Sequence, residues 1–216
     1  GGQVQWTYGP FIEMKDVDQA YLGFIEGLFE ELRRRGMTLL ATGHQPVSTA
    51  ADIEVVPTEE NNCLMAYADG NDALKDALLC SAKMSISMQY AHVDNFEKRY
   101  QAAAIIQPAL AAFFDNTAWV GGKENDAVLY NINNILTADP SFYHMEDAMS
   151  THFKYTDFAD FLMDAPAIAV PQDGHLVPAE GKKVEDVFAD GMSRCDILRA
   201  LRYVRPMVSF DEHGVT

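Results

Sequence analysis

The side chains best placed to meet a ligand fall in two short alternating segments. Gln3, Gln5 and Thr7 alternate with Val4, Trp6 and Tyr8, and Ser85, Ser87 and Gln89 alternate with Met84, Ile86, Met88 and Tyr90. A period of two puts each polar set on one face of a half-buried strand. These polar groups are neutral, so they offer hydrogen bonds but little to offset the charge of a divalent ion. The histidines are His44, His92, His144, His152, His175 and His213. None stands in HExxH, and none pairs with a cysteine at metal spacing. The densest cluster, His144 with Glu146, Asp147 and His152, reads as a solvated loop before a metal site. Cys80 reads as buried filler before a nucleophile. There is no Walker A, GxGxxG or GxSxG motif, and Gly121-Gly122-Lys123 matches a phosphate loop only in composition. No metal ligands are assigned, and no zinc is expected.

The elements that must carry these residues follow from periodicity and breakers. A strand over 3–8 ends at Gly9-Pro10. A helix over 17–35 places Tyr21, Phe24, Ile25, Leu28, Phe29 and Leu32 on one face, with Arg33-Arg34-Arg35 in its last turn and Gly36 as its stop. Tyr21, Phe24, Leu28 and Leu32 are expected to pack on the back of the sheet. Met37 to Ala41 reads as a buried strand, and 47–62 as an acidic loop. Asn71 or Asp72 caps a helix over 71–79. Met84 to Tyr90 is the second half-buried strand. A helix over 93–114 is kinked at Pro108. Residues 121–126 are a Gly-rich loop, and 139–152 are irregular. Thr156 to Leu162 is helical, Ala167 to Val170 a strand, and Pro171 to Pro178 a turn and return. Val184 to Phe188 and Asp196 to Tyr203 are short helices. This order predicts an α+β fold, an open antiparallel sheet backed by helices with one polar face free for a large ligand.

The chain has 216 residues and a net charge of −16. That charge is wrong for wrapping nucleic acid or for lying on an anionic membrane. No apolar stretch is long enough to span a bilayer, and no signal peptide is visible. Three cysteines, Cys63, Cys80 and Cys195, make no disulfide framework, which favours a reducing, cytoplasmic setting. The first residues read as the middle of a domain. Val208 to Thr216 reads as a hairpin turning at Asp211-Glu212-His213-Gly214, with a return strand cut short at Val215. The expectation is therefore one partial domain over 1–216, incomplete at both ends.

Four segments in order resemble the glutamate–cysteine ligase family in its plant and proteobacterial form. Gly1 to Pro10, GGQVQWTYGP, is similar to EPGGQxELSxxP. Leu39 to Pro46, LLATGHQP, is similar to LLGIGFQP. Ile105 to Asn116, IIQPALAAFFDN, is similar to ALQPIATALFANSP. Phe158 to Pro166, FADFLMDAP, is similar to YVDYALDVP.

The resemblance implies a glutamine-synthetase-like sheet and an ATP-dependent ligase. ATP phosphorylates the side-chain carboxylate of glutamate, and cysteine or another small amine attacks the acyl phosphate to give a γ-glutamyl amide. Mg2+ bridges the phosphates. The family's opening catalytic strand and its YIEIR strand have no counterpart in residues 1–216. Carried over residue by residue, the cofactor-binding positions are Gln3, Gln5, Ser85, Ser87, Gln89 and Asn131. Gln5 stands where GGQxE has its glutamate. Ser85, Ser87 and Gln89 replace Gln, Asn and Asp of the strand TCTVQVNLDF. Asn131 replaces the Arg of the SMRSH strand. The family's PKxRY falls on Pro57-Thr58-Glu59-Glu60-Asn61, where both basic residues are gone. Three readings stay open: a divergent γ-glutamyl ligase, a catalytically weakened homologue acting as a binding or partner protein, and an unrelated α+β domain. No nucleic-acid or membrane partner is expected, and the oligomeric state is left open.

Overall fold

Capping, periodicity and turn chemistry each leave a mark on the computed structural model. It describes residues 4–142, 148–188, 192–201, 208, 210–211 and 214–215. The helices are α1 (Met14–Arg34), α2 (Glu59–Tyr67), α3 (Asp72–Leu79), α4 (Val93–Phe114), α5 (Tyr130–Ala138), α6 (Tyr155–Asp164), α7 (Val184–Val187) and α8 (Arg194–Leu201). Among the described residues the strands form three antiparallel pairs: β1 (Trp119–Val120) with β2 (Lys123–Glu124), β3 (Ala169–Gln172) with β4 (His175–Pro178), and β5 (Phe210–Asp211) with β6 (Gly214–Val215). The fold is thus mixed α and β. The chain divides into two compact units, Gly1–Thr42 and Gly43–Thr216.

In the first unit α1 ends as its residues dictate. Gly36 takes φ +65°, and the amides of Gly36 and Met37 close back on the carbonyls of Arg33 and Leu32. Trp6 stacks on Phe24 at 5.0 Å and on Tyr8 at 5.0 Å, and it also meets Tyr21. Of the alternating segment, Trp6 therefore lies against α1. The strand itself does not form, since residues 4–10 have no ladder partner among the described residues. Alternation specifies two faces, whereas a strand also needs a neighbour to accept its backbone hydrogen bonds. Tyr21, Phe24, Leu28 and Leu32 consequently have no strand of the first unit to cover among the described residues. Leu28 is half-buried and Tyr21 exposed. Met37 to Ala41 is likewise no buried strand, because Met37 and Leu40 are exposed.

In the second unit, one core joins α4 and α6 through Phe96, Tyr100, Ala104, Phe153 and Phe158, and the Tyr100 hydroxyl donates to the carbonyl of Val208 at 2.9 Å. A second core of small residues surrounds Ala165, Ala167, Ala179, Val184, Val187 and Ala200. A third seats α2 on the β3–β4 hairpin through Cys63, Ile168, Ala169 and Leu176. Helix α2 begins inside the segment expected to be an acidic loop and runs beyond it. Its acidic first turn suits a helix N-terminus, and Thr58 caps it by accepting from the amide of Asn61 at 3.2 Å. Helix α4 continues through Pro108.

Met84 to Tyr90 is not a strand. Residues 82–87 have no ladder among the described residues, and Met88 makes a single bridge. The open sheet expected from the two alternating segments is therefore absent from the described residues. Gly121 and Gly122, at φ +55° and +79°, form the two-residue turn of the β1–β2 hairpin, a conformation that glycine adopts readily. The Gly122 amide donates to the carbonyl of Pro46 at 2.8 Å. That loop is therefore a hairpin turn, and the Gly122 amide is already engaged within the chain. The C-terminal hairpin forms as expected, with Phe210 paired to Val215 and Asp211 to Gly214.

Candidate functional site

The strongest concentration of chemistry lies where α3, α5 and the segment after Thr42 meet. Helix α3 starts at Asn71, whose side chain accepts from the amide of Leu74 at 3.0 Å. One helical turn separates Asp76 from Cys80, which puts both on the same face. The chain from Gly43 to Gln45 runs antiparallel to Cys80–Ala82. Gln45 N donates to Cys80 O at 2.8 Å, Ala82 N donates to Gly43 O at 2.9 Å, and His44 bridges Ser81. This pairing carries His44 to the end of α3.

Gly43 permits the close approach. A Cβ there would stand 3.0 Å from Thr117 Oγ1 and 3.2 Å from the carbonyl oxygen of Asn116. Helix α5 closes the other side. The Asn71 side-chain Nδ2 donates to the carbonyl of Ala138 at 2.9 Å, and the Tyr67 hydroxyl donates to Asp139 at 2.6 Å, so α5 is held to α2 and α3.

His44 and Cys80 are each only 1% exposed. His44 Nδ1 lies 3.0 Å from the carbonyl of Gln45, and Nε2 lies 3.1 Å from Asp76 Oδ2. Asn134 Nδ2 donates to the same Oδ2 at 2.9 Å. The Tyr130 hydroxyl and the Cys80 thiol lie near Asp76, and the Tyr130 ring meets the imidazole edge-on at 5.3 Å. Burial and then the nearby Asp76 carboxylate push the Cys80 thiol up to about 12. Burial is also the main reason that Tyr130 is raised. A shallow depression of about 280 Å3 lies beside the cluster, lined by Ala127, Tyr130, Asn133, Asn134 and Thr137.

The residues expected to bind a cofactor are distributed otherwise. Gln3 lies outside the described residues. Gln5 is exposed in the first unit. Ser85, Ser87 and Gln89 are exposed in the second, along the segment that carries no ladder. Asn131 is in the first turn of α5 rather than on a strand, and donates to the carbonyl of Gly43 at 2.6 Å. Asn131 adjoins the buried cluster through this bond to Gly43. Of the His144 cluster, His144, Glu146 and Asp147 lie outside the described residues.

Sequence spacing missed the cluster because His44 is 32 residues from Asp76. One signal was present. His44 stands where the motif LLGIGFQP has phenylalanine, so a polar ring occupies an apolar position.

No protein-family model matches the chain. It is 20% identical over 194 residues to the chloroplastic glutamate–cysteine ligase of Medicago truncatula, a match covering 88% of the chain and 38% of that protein. It is 20% identical over 196 residues to the chloroplastic glutamate–cysteine ligase of Nicotiana tabacum, covering 88% of the chain and 37% of that protein. These matches support a distant relationship. The chain spans well under half the length of the curated relatives it matches. No helix among the described residues is long and apolar enough to cross a membrane.

Proposed function

We propose that the chain is part of an ATP-dependent carboxylate–amine ligase that forms a γ-glutamyl amide. The observation that supports this most is the match to plant glutamate–cysteine ligases, which runs through 88% of the chain. The four ordered motifs point to the same family. The acceptor would be a small amine, with cysteine the first to test.

The donor set of this stretch does not suit Mg-ATP. Magnesium bound to triphosphate asks for carboxylate oxygens, and the phosphates ask for cations. Gln5, Ser85, Ser87 and Gln89 supply neither, and Thr58 and Glu60 stand where PKxRY has its basic residues. Glu59 is moreover engaged with His175 and the amide of Leu176. No step of phosphoryl transfer is therefore assigned to these side chains.

The same neutrality favours a second reading, a catalytically inactive homologue that serves as a binding or partner protein. The full-length protein decides between them. Under the ligase reading, glutamate, ATP, Mg2+ and an amine together yield ADP, phosphate and a γ-glutamyl amide, detected by mass spectrometry. A stable, monodisperse full-length protein that is inert with a panel of amines overturns the ligase reading.

A further inference from the structure

We propose that His44 Nε2, Asp76 Oδ2 and Cys80 Sγ form a zinc site with three protein ligands and an open fourth position. Ligand atoms of these residues all lie within 4.8 Å of one another, and two of the three residues are buried. Imidazole nitrogen, carboxylate oxygen and thiolate sulfur are zinc's usual donors, and three protein ligands leave a place for water.

The hydrogen-bond inventory points the same way. A carbonyl only accepts, so Nδ1 must carry the ring proton toward Gln45. In the neutral ring Nε2 then presents a lone pair to a carboxylate oxygen 3.1 Å away. Two electron-rich atoms at that distance need a cation between them, either a proton or a metal ion. The surroundings resemble the outer layer of a metal site. The backbone carbonyl fixes the ring orientation through Nδ1, and Asn134 holds the carboxylate. Asp76 is the partly exposed member, at 22%. Tyr130 and Asn134 also line the depression, so the fourth position would open on that side.

Binding replaces the thiol proton. The Cys80 S–H bond breaks and the sulfur pair goes to zinc, and the proton that lies between Nε2 and Oδ2 in the metal-free protein is displaced as well, so two protons per ion pass to the buffer. Nδ1 keeps its proton throughout. The site is independent of the ligase reading, because none of its residues was carried over from the family's cofactor-binding positions.

Elemental analysis of the purified protein, after removal of loosely held ions, is expected to find one zinc per chain. Replacement by Co2+ is expected to give tetrahedral d–d bands and a thiolate-to-cobalt charge-transfer band. Cys80→Ser should abolish the charge-transfer band, whereas Cys195→Ser, which changes the exposed thiol, should leave it intact. His44→Phe should abolish tight binding, and Asn134→Ala should weaken it about 10–100-fold. Should a Cys80 variant fail to fold, zinc added to the metal-free wild type in weak buffer should still release two protons per ion. Metal-free protein that gives no cobalt band and no proton release overturns the proposal and leaves a proton-filled network. A band that survives Cys80→Ser but vanishes in Cys195→Ser overturns it as surface binding.

Discussion

The side-chain amide of Asn131 donates to the carbonyl of Gly43 at 2.6 Å and to Thr117 Oγ1 at 3.3 Å, while its Oδ1 is buried with no hydrogen-bond partner among the described residues. The two ends of one amide therefore contribute with opposite sign. The Gly43 carbonyl also accepts from Ala82 N, so losing Asn131 would not orphan it. Asn131→Ala should cost about 1 kcal/mol or less, since the lost bond is offset by removal of the unpaired oxygen. Asn131→Asp keeps the shape but turns the donor into an acceptor facing a carbonyl, and should cost more than about 2 kcal/mol. Urea midpoints at neutral pH compare the two. If Asp is tolerated as well as Ala, Asn131 does not hold the loop that positions His44. This residue was legible in the sequence only as the counterpart of a family arginine. Its task in the fold depends on a hydrogen bond spanning 88 positions, which no local pattern encodes.

Helix α2 and the β3–β4 hairpin are joined by a polar clasp as well as an apolar contact. The Glu59 carboxylate accepts from His175 Nδ1 at 2.6 Å and from the amide of Leu176 at 2.9 Å. These bonds, with that from His175 the larger cause, hold Glu59 below its ordinary value of 4.5. A depressed carboxylate contributes stability that is present above its unfolded value and is lost as pH falls through its folded value. Glu59→Gln should therefore lower the urea midpoint at pH 7, and the gap should close in acid below the folded value. A gap of the same size at both pH values would mean that shape rather than charge carries the clasp. At this scale the sequence is most readable where structure is local. The Asn71 cap, the α1 stop at Gly36 and the turn of the β3–β4 hairpin all depend on residues a few positions apart. Helix α2 was hidden because its first turn is polar, and the polar face of a helix start looks like a loop until its cap is recognised. The two alternating segments misled for the converse reason, because side-chain period is local whereas strand pairing is not. The metal-ligating cluster was half visible, as Asp76 and Cys80 share a helix face, but His44 arrives only through the antiparallel pairing of 43–45 with 80–82.

The whole molecule carries 16 Lys and Arg against 32 Asp and Glu, and a field of that sign opposes a polyphosphate. A built nucleotide site overcomes a repulsive mean field by gathering cations locally, as arginine clamps do. The expected cofactor positions hold no cation, because Gln5, Ser85, Ser87 and Gln89 are exposed and neutral, and Asn131 is occupied with Gly43. Mg-ATP should therefore bind residues 1–216 no more tightly than about 1 mM by calorimetry, a level at which weak contacts give only about −4 kcal/mol. Salt separates the two possible causes of weak binding. Where repulsion from the mean field dominates, raising ionic strength from low to physiological values shortens the Debye length to about 8 Å and should strengthen the residual binding. Where a cationic pocket dominates, the same change weakens it. Micromolar binding that weakens with salt would show that cations are gathered around a phosphate in a way the exposed neutral positions do not suggest. Millimolar binding that improves with salt would place the nucleotide-holding charges of any active ligase beyond this stretch. A full-length protein that turned over would then owe its catalysis to groups that these 216 residues do not contain.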